Sequence, residues 1–316
     1  MSEAPMEARS PELVADEVCP EPPGRLNVGL ALGILAIQLA ALAVAGWSTS
    51  VAGVALATLV FALFILPLYS LLHEAEHRVF HRDSAINDGF GVVLAAFFPG
   101  SFTFLRACHL GHHRRNRSAA EVFDYVCPGD RLWRKRLGFY TLYLGAFWLA
   151  VPLATVALLV YPRAVQSSLV QDAPSAAAMV NGIAPRFLRR IRLECLAVVA
   201  LHTGIAWVVG PGIWALLYGV AGLSWSSQQY ITHAGSPLDV IHGAHNLKAH
   251  PLYAGLLLNF NWHLAHHQHP RVPWLYLPRF DDPTRVRPGY LISFIRFWRG
   301  PVPLPPGVEG PAAARR

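Results

Sequence analysis

The sequence predicts an all-α integral membrane protein, with about four transmembrane helices in two hairpins and a histidine-rich domain on the cytoplasmic side. Three observations carry that reading. Of 316 residues, 53% are hydrophobic and only 14% charged, against roughly a quarter charged in an ordinary soluble domain. The apolar residues gather into long runs, the pattern of segments whose solvent is lipid. Histidine is abundant, at 15 residues, and much of it lies in tight clusters beside those runs.

Taken in order, residues 1–26 are rich in Pro, Glu and Ala and read as a disordered cytoplasmic tail. No basic start, short apolar stretch and cleavage site precede the first long run, so that run is expected to be an uncleaved anchor. It covers Asn27 to Gly46, long enough for one crossing of roughly 20 residues. A polar break, Trp47-Ser48-Thr49-Ser50, leads into a second run from Val51 to Leu72, which completes a hairpin and ends in His73 to His77. The stretch Phe90 to Phe104 is shorter and interrupted by Pro99-Gly100. It joins two histidine clusters that must share one side, which predicts a re-entrant or interfacial segment. Phe139 to Val160 is expected to dip in and out near Pro152. Leu193 to Tyr230 is expected to form the second hairpin, turning at Gly210-Pro211-Gly212; the alternative is that Phe139 to Val160 crosses and Leu193 to Tyr230 is one long helix. One membrane domain over 27–280 results, followed by a Pro-rich segment, 281–316, in which Tyr290 to Trp298 reads as an interfacial amphipathic helix.

The net charge of +7 excludes less than it suggests. A nucleic-acid binder shows a basic stripe on a soluble fold. Here the arginines sit beside the apolar runs, at Arg114, Arg115 and Arg117, from Arg131 to Arg136, and from Arg186 to Arg192. That is the distribution of cytoplasmic loops in membrane proteins, and nucleic acid is not an expected partner. The four cysteines, Cys19, Cys108, Cys127 and Cys195, form no close-spaced metal or redox pair.

The chemistry lies in the histidines. The spacings are His73-x3-His77, His109-x2-His112-His113 and His263-x2-His266-His267. On a helix, residues three and four apart share a face with Cβ atoms about 5–6 Å apart, so pairs of imidazoles can aim at one ion. With this much histidine, an HxxHH pattern arises by chance at about one position in ten thousand, and the chain has two. Imidazole suits Fe, Zn, Cu and Ni alike, so spacing alone leaves the metal open. His202, alone in an apolar run, reads as a hydrogen-bonded core residue. His81, His242, His245, His250 and His269 read as loop residues, and Glu74, Glu76, Glu121 and Asp124 as acids available to orient ligating rings.

The order HxxxH, HxxHH, a lone His and a final HxxHH, set between hydrophobic hairpins, resembles the membrane fatty acid desaturase superfamily. The closing stretch Asn261-Trp262-His263-Leu264-Ala265-His266-His267, then Pro270-Arg271-Val272-Pro273-Trp274, is similar to the ends of acyl-lipid desaturases and carotenoid ketolases. The resemblance covers roughly residues 27 to 280. It implies two iron ions held by His73, His77, His109, His112, His113, His263, His266 and His267. It also implies a ninth ligand, His233 of Tyr230-Ile231-Thr232-His233, and an amide holding a metal-bound water at Gln229. Two positions depart from the pattern. Ala265 replaces a common acid of the third box, and Glu74 stands where the first box often has Asp; neither change removes a ligand.

By the same resemblance the protein is expected to be an O2-dependent oxidoreductase acting on a long apolar chain, foremost a fatty acyl desaturase. Hydroxylation, carotenoid ketolation and oxidative decarboxylation are the alternatives within the superfamily. No cytochrome b5-like domain or ferredoxin-type cysteine motif is fused to the chain, so electrons are expected from a separate donor of either type with its reductase. A bacterial inner membrane, with the boxes facing the cytoplasm, is the expected location. A membrane metal transporter is the reading from another class, but transport sites lie near the bilayer midplane, whereas these boxes lie at the ends of spans. A bis-histidine haem protein would need lone histidines inside facing helices, and only His202 is placed so.

Overall fold

In the computed structural model, the described residues are 19–311 apart from 168–169, 171–176, 178–179 and 181–182. Most of the tail expected over 1–26 therefore lies outside them, and residues 24–26 are already helical. Helix α1 (Gly24–Trp47) and helix α2 (Val51–Glu76) form the first hairpin. Ser48 and Ser50 make the turn, the Ser50 Oγ accepting from the Gly53 N–H as N-cap of α2. The pair runs antiparallel, with Gln38 donating to the Phe61 carbonyl and Asn27 to the Phe80 carbonyl. Both amides are fully buried and reach across to a partner chain segment, as a polar group in an apolar bundle must.

The second hairpin is α7 (Leu188–Val209) and α8 (Pro211–Ser226), which turns at Gly210 with φ of 89°. Only glycine adopts that conformation without strain. His202 of α7 donates to the Ala96 carbonyl and accepts from the Trp214 indole, so both ring nitrogens are satisfied without a metal. Helix α8 runs parallel to α2, Tyr218 meeting Phe61 and Trp225 meeting Tyr69 edge to face. Among the described residues, three helices, α1, α2 and Pro185–Val209, are long and apolar enough to cross a membrane, and up to five if each of two bent pairs is one span. At 16 residues α8 is about 24 Å long, somewhat short of a full crossing.

The first bent pair is α3 (Ser84–Phe97) and α4 (Phe102–Arg115), which meet at 96° across Pro99-Gly100, as the sequence predicts. Glu194 of α7 fixes the corner. Its carboxylate accepts from Ser101 Oγ, the Thr103 N–H and Thr103 Oγ1, placing negative charge at the start of α4 where the helix dipole favours it. In the second pair, α5 (Leu132–Tyr143) and α6 (Ala146–Val160) meet at 82°. The break falls at Gly145, not at Pro152 as expected; Pro152 lies inside α6. Gly145 has φ of 78°, and a Cβ there would stand 2.9 Å from the Leu223 backbone, so conformation and close approach both demand glycine.

Beyond α8 come two short helices, α9 (Pro251–Leu256) and α10 (His263–Gln268), and the amphipathic α11 (Tyr290–Phe297). Two residue pairs, β1 (Tyr125–Val126) and β2 (Val302–Pro303), pair in parallel and fasten the C-terminal segment to the loop after α4. Trp274 ties the closing motif back to the first hairpin, donating its N–H to Glu74 and its indole N–H to Asn27.

Candidate metal centre

Nine histidines converge at one end of the bundle. His73 and His77 come from the last turn and C-cap of α2, His109, His112 and His113 from α4, and His263, His266 and His267 from α10. His233 lies in the turns after α8. They fall into two groups. His73, His77, His109, His113 and His266 form one, and His112, His233, His263 and His267 the other; the ligand atoms within each group lie within 4.8 Å of one another. The paired histidines of the second and third boxes split between the groups, because neighbouring residues on a helix point about 100° apart. His113 and His267, from different groups, have ring centroids only 4.4 Å apart.

The nitrogens are crowded. Nε2 of His77 lies 2.7 Å from Nε2 of His109, Nε2 of His113 lies 3.0 Å from that of His266, and Nε2 of His263 lies 2.9 Å from that of His233. Burial, reinforced by neighbouring histidines, pushes the pKa of His263 down to about 3 and those of His233, His266 and His267 well below their ordinary value. The rings are thus neutral and carry lone pairs, the form that binds metal. Buried nitrogens on His73, His263 and His267 have no hydrogen-bond partner, a costly arrangement unless an ion takes the lone pair. Two imidazoles on one ion at roughly 2.1 Å stand at most about 4.2 Å apart, so modest side-chain shifts would close each group on a metal.

Around the four-histidine group, outer contacts fix the tautomers. The Gly243 carbonyl can only accept, so His233 donates to it from Nδ1 at 2.9 Å and presents Nε2 inward. His112 Nδ1 lies 2.6 Å from Glu121, which also pairs with Arg115. Behind these sits a buried clamp that the sequence did not reveal. Arg117 donates to both oxygens of Asp124, to the Tyr230 hydroxyl and to the Ser236 carbonyl, and the Gly235 N–H also donates to Asp124. The Arg117 side chain has no exposure. It joins the loop after α4 to the loop carrying His233, and its only sequence signal is Tyr230, three residues before that histidine.

Of the acids expected to orient ligating rings, Glu121 touches one. Asp124 acts through the clamp, Glu74 accepts from the Trp274 backbone, and Glu76 has a buried oxygen with no hydrogen-bond partner. Gln229 stands one turn before His233, with Nε2 donating to the Trp225 carbonyl, and lines the cavity beside Thr232.

A helical membrane bundle with paired all-histidine clusters at one end of its spans defines a class of membrane proteins able to hold metal. The family comparison narrows it: the fatty acid desaturase model matches residues 29–297, and the chain belongs to that family. Membership indicates a membrane oxidoreductase of the desaturase/hydroxylase superfamily. No match emerges from a search of curated proteins.

Proposed function

We propose that the protein is an O2-dependent di-iron oxidoreductase that desaturates a fatty acyl chain, drawing electrons from a separate ferredoxin or cytochrome b5-type donor. The observation that carries this reading is the division of nine buried or half-buried imidazoles into adjacent groups of five and four. A hydrolytic zinc site uses three protein ligands and keeps one position open; two contiguous all-histidine groups suit redox chemistry instead. Iron held by the nine histidines would supply O2 activation, and the overall change is loss of two hydrogens from adjacent carbons as O2, two electrons and two protons become two waters.

The chain's own residues would do the rest. His233 and His112 are held in one tautomer by Gly243 and Glu121. The cavity beside the histidines has Leu258, Phe260, Trp274 and Leu277 among its walls, apolar groups that a hydrocarbon would meet as it reaches the histidines. The arginine clusters flank the histidine end of the spans, which supports a cytoplasmic orientation in a membrane such as a bacterial inner membrane.

The test is lipid analysis by gas chromatography and mass spectrometry in a host supplying O2 and redox partners, with His113→Ala as control. A new unsaturated acyl chain absent from the variant is expected. A hydroxylated or shortened product would overturn desaturation, and an unchanged lipid profile would overturn the acyl substrate.

A further inference from the structure

Two small cavities share the walls Ser70 and Phe260. The inner one touches His73, His263 and His266; the outer one extends past Tyr69 and Trp225 to Gln228 and Tyr290. Their free volumes are about 10 and 20 Å³, room for roughly one water each. Neither is large enough for a hydrocarbon chain, so admitting one through them requires a wall to move.

The outer wall has the features of a latch. Gln228 Oε1 accepts from the Tyr290 hydroxyl at 2.9 Å and from the Tyr253 hydroxyl, while Gln228 Nε2 donates to the Ser224 carbonyl. All three side chains are half-buried, whereas Leu66 and Leu257, which also line the outer cavity, are buried. Polar contacts that close an apolar chamber can break and re-form without leaving a group unsatisfied at a wet interface.

The surface beside this latch is apolar without being covered. Helix α11 turns Tyr290, Ser293, Phe294 and Phe297 inward, Phe294 meeting Tyr143. Its other face presents Leu291, Ile292 and Ile295 at 67, 58 and 60% exposure, and Leu252 of α9 is 80% exposed. A contiguous exposed apolar patch of this kind marks a contact surface for protein or membrane. The patch is continuous with the spans, since Gln228 follows the end of α8 by two residues and α5, packed on α11 through Tyr143, exposes Leu132, Trp133 and Leu137. Arg296 and Arg299 beside it are exposed, where they meet anionic headgroups.

We infer that the face of α9 and α11 lies in the lipid interface and that Gln228, Tyr253 and Tyr290 form a gate through which an apolar substrate passes from the bilayer to the histidines. This rests on the proposed action on an apolar chain. No Lys, Arg or His lines the outer cavity, so the part of the substrate that enters is uncharged.

The experiment uses the full chain in nanodiscs containing phosphatidylcholine with a photoactivatable diazirine in its acyl chain, with labelled peptides mapped by mass spectrometry. Label is expected on the segments holding Leu252 and Leu291–Ile295. In the double variant Tyr253→Phe, Tyr290→Phe, labelling of the chamber segments around Tyr69 and Phe260 is expected to rise several-fold while rim labelling stays constant. An unlabelled rim, or unchanged chamber labelling with a labelled rim, would overturn the gate. If the double variant loses iron, Tyr290→Phe alone carries the test. The labelling needs no turnover: in His113→Ala it is expected to persist, so failure of the gate and failure of the oxidoreductase reading are separable.

Discussion

The two histidine groups are built on different principles. The five-histidine group stands on continuous helix at the ends of α2, α4 and α10, and among the described residues none of its five rings bonds to a carboxylate or carbonyl. The four-histidine group takes His233 from an irregular turn, and there the outer contacts concentrate: Gly243 on His233, Glu121 on His112, and the Arg117–Asp124–Tyr230 clamp behind both. Helix geometry alone positions a ligand on a rigid element. A ligand on a loop needs polar scaffolding to achieve the same precision.

The largest effects should come from the ligands themselves. His113→Ala and His267→Ala are each expected to abolish turnover, exceeding the roughly 10–100-fold that loss of an outer partner costs. Iron content distinguishes the groups. The first variant should release its ion from the five-histidine group and the second from the four-histidine group, and full activity in either would break the assignment. Next in size is the clamp. Arg117→Met leaves a buried Asp124 without its cation, at a cost of about 3–5 kcal/mol. Thermal unfolding should shift accordingly, with iron lost from the four-histidine group first. Adding Asp124→Leu should recover part of the stability, and no recovery would mean that Arg117 acts by packing alone.

That contrast also marks what was legible in the sequence. The boxes, the first hairpin, the α7–α8 turn at Gly210 and the corner at Pro99-Gly100 all follow from local pattern, because helical period, apolar length and turn chemistry act within a few residues. The clamp does not. Arg117 reads as one arginine among several and Asp124 as one of four acids available to orient a ring, and only the fold brings Ser236 and Tyr230 to them from more than 100 residues away. The break at Gly145 was missed for a similar reason. Proline is the stronger local signal, but the approach of Leu223 decides the bend.

A pH series sharpens the comparison at the level of both groups together. In the metal-free protein the folded-state pKa values of the buried rings lie far below the value of about 6.5 for an unfolded histidine. Above that value the rings are neutral in both states and contribute nothing to pH dependence. As pH falls below it, the unfolded chain binds protons that the folded chain refuses, so stability declines, and continues to decline toward the folded value of about 3 for His263. Unfolding temperature should therefore drop steadily from about pH 6.5 downward, and added metal should raise it least at low pH. A smaller and selective effect is expected from Glu121→Gln, which keeps the shape but removes the charge beside His112. Chelator competition should show metal held roughly 10–100-fold more weakly by the four-histidine group, with the other unchanged. Equal weakening of both would mean that the groups are not independently supported.

Gln229 should produce the smallest change. Its Nε2 is already engaged with the Trp225 carbonyl, leaving the amide oxygen as the end available to the cavity, where it can accept from a water but not anchor an ion against nine imidazoles. Gln229→Ala is therefore expected to retain both irons and to alter turnover only several-fold. Iron analysis and product yield on the same preparation decide it. Loss of an ion would show that the amide is a true ligand, and which group loses it would decide which of the two it serves.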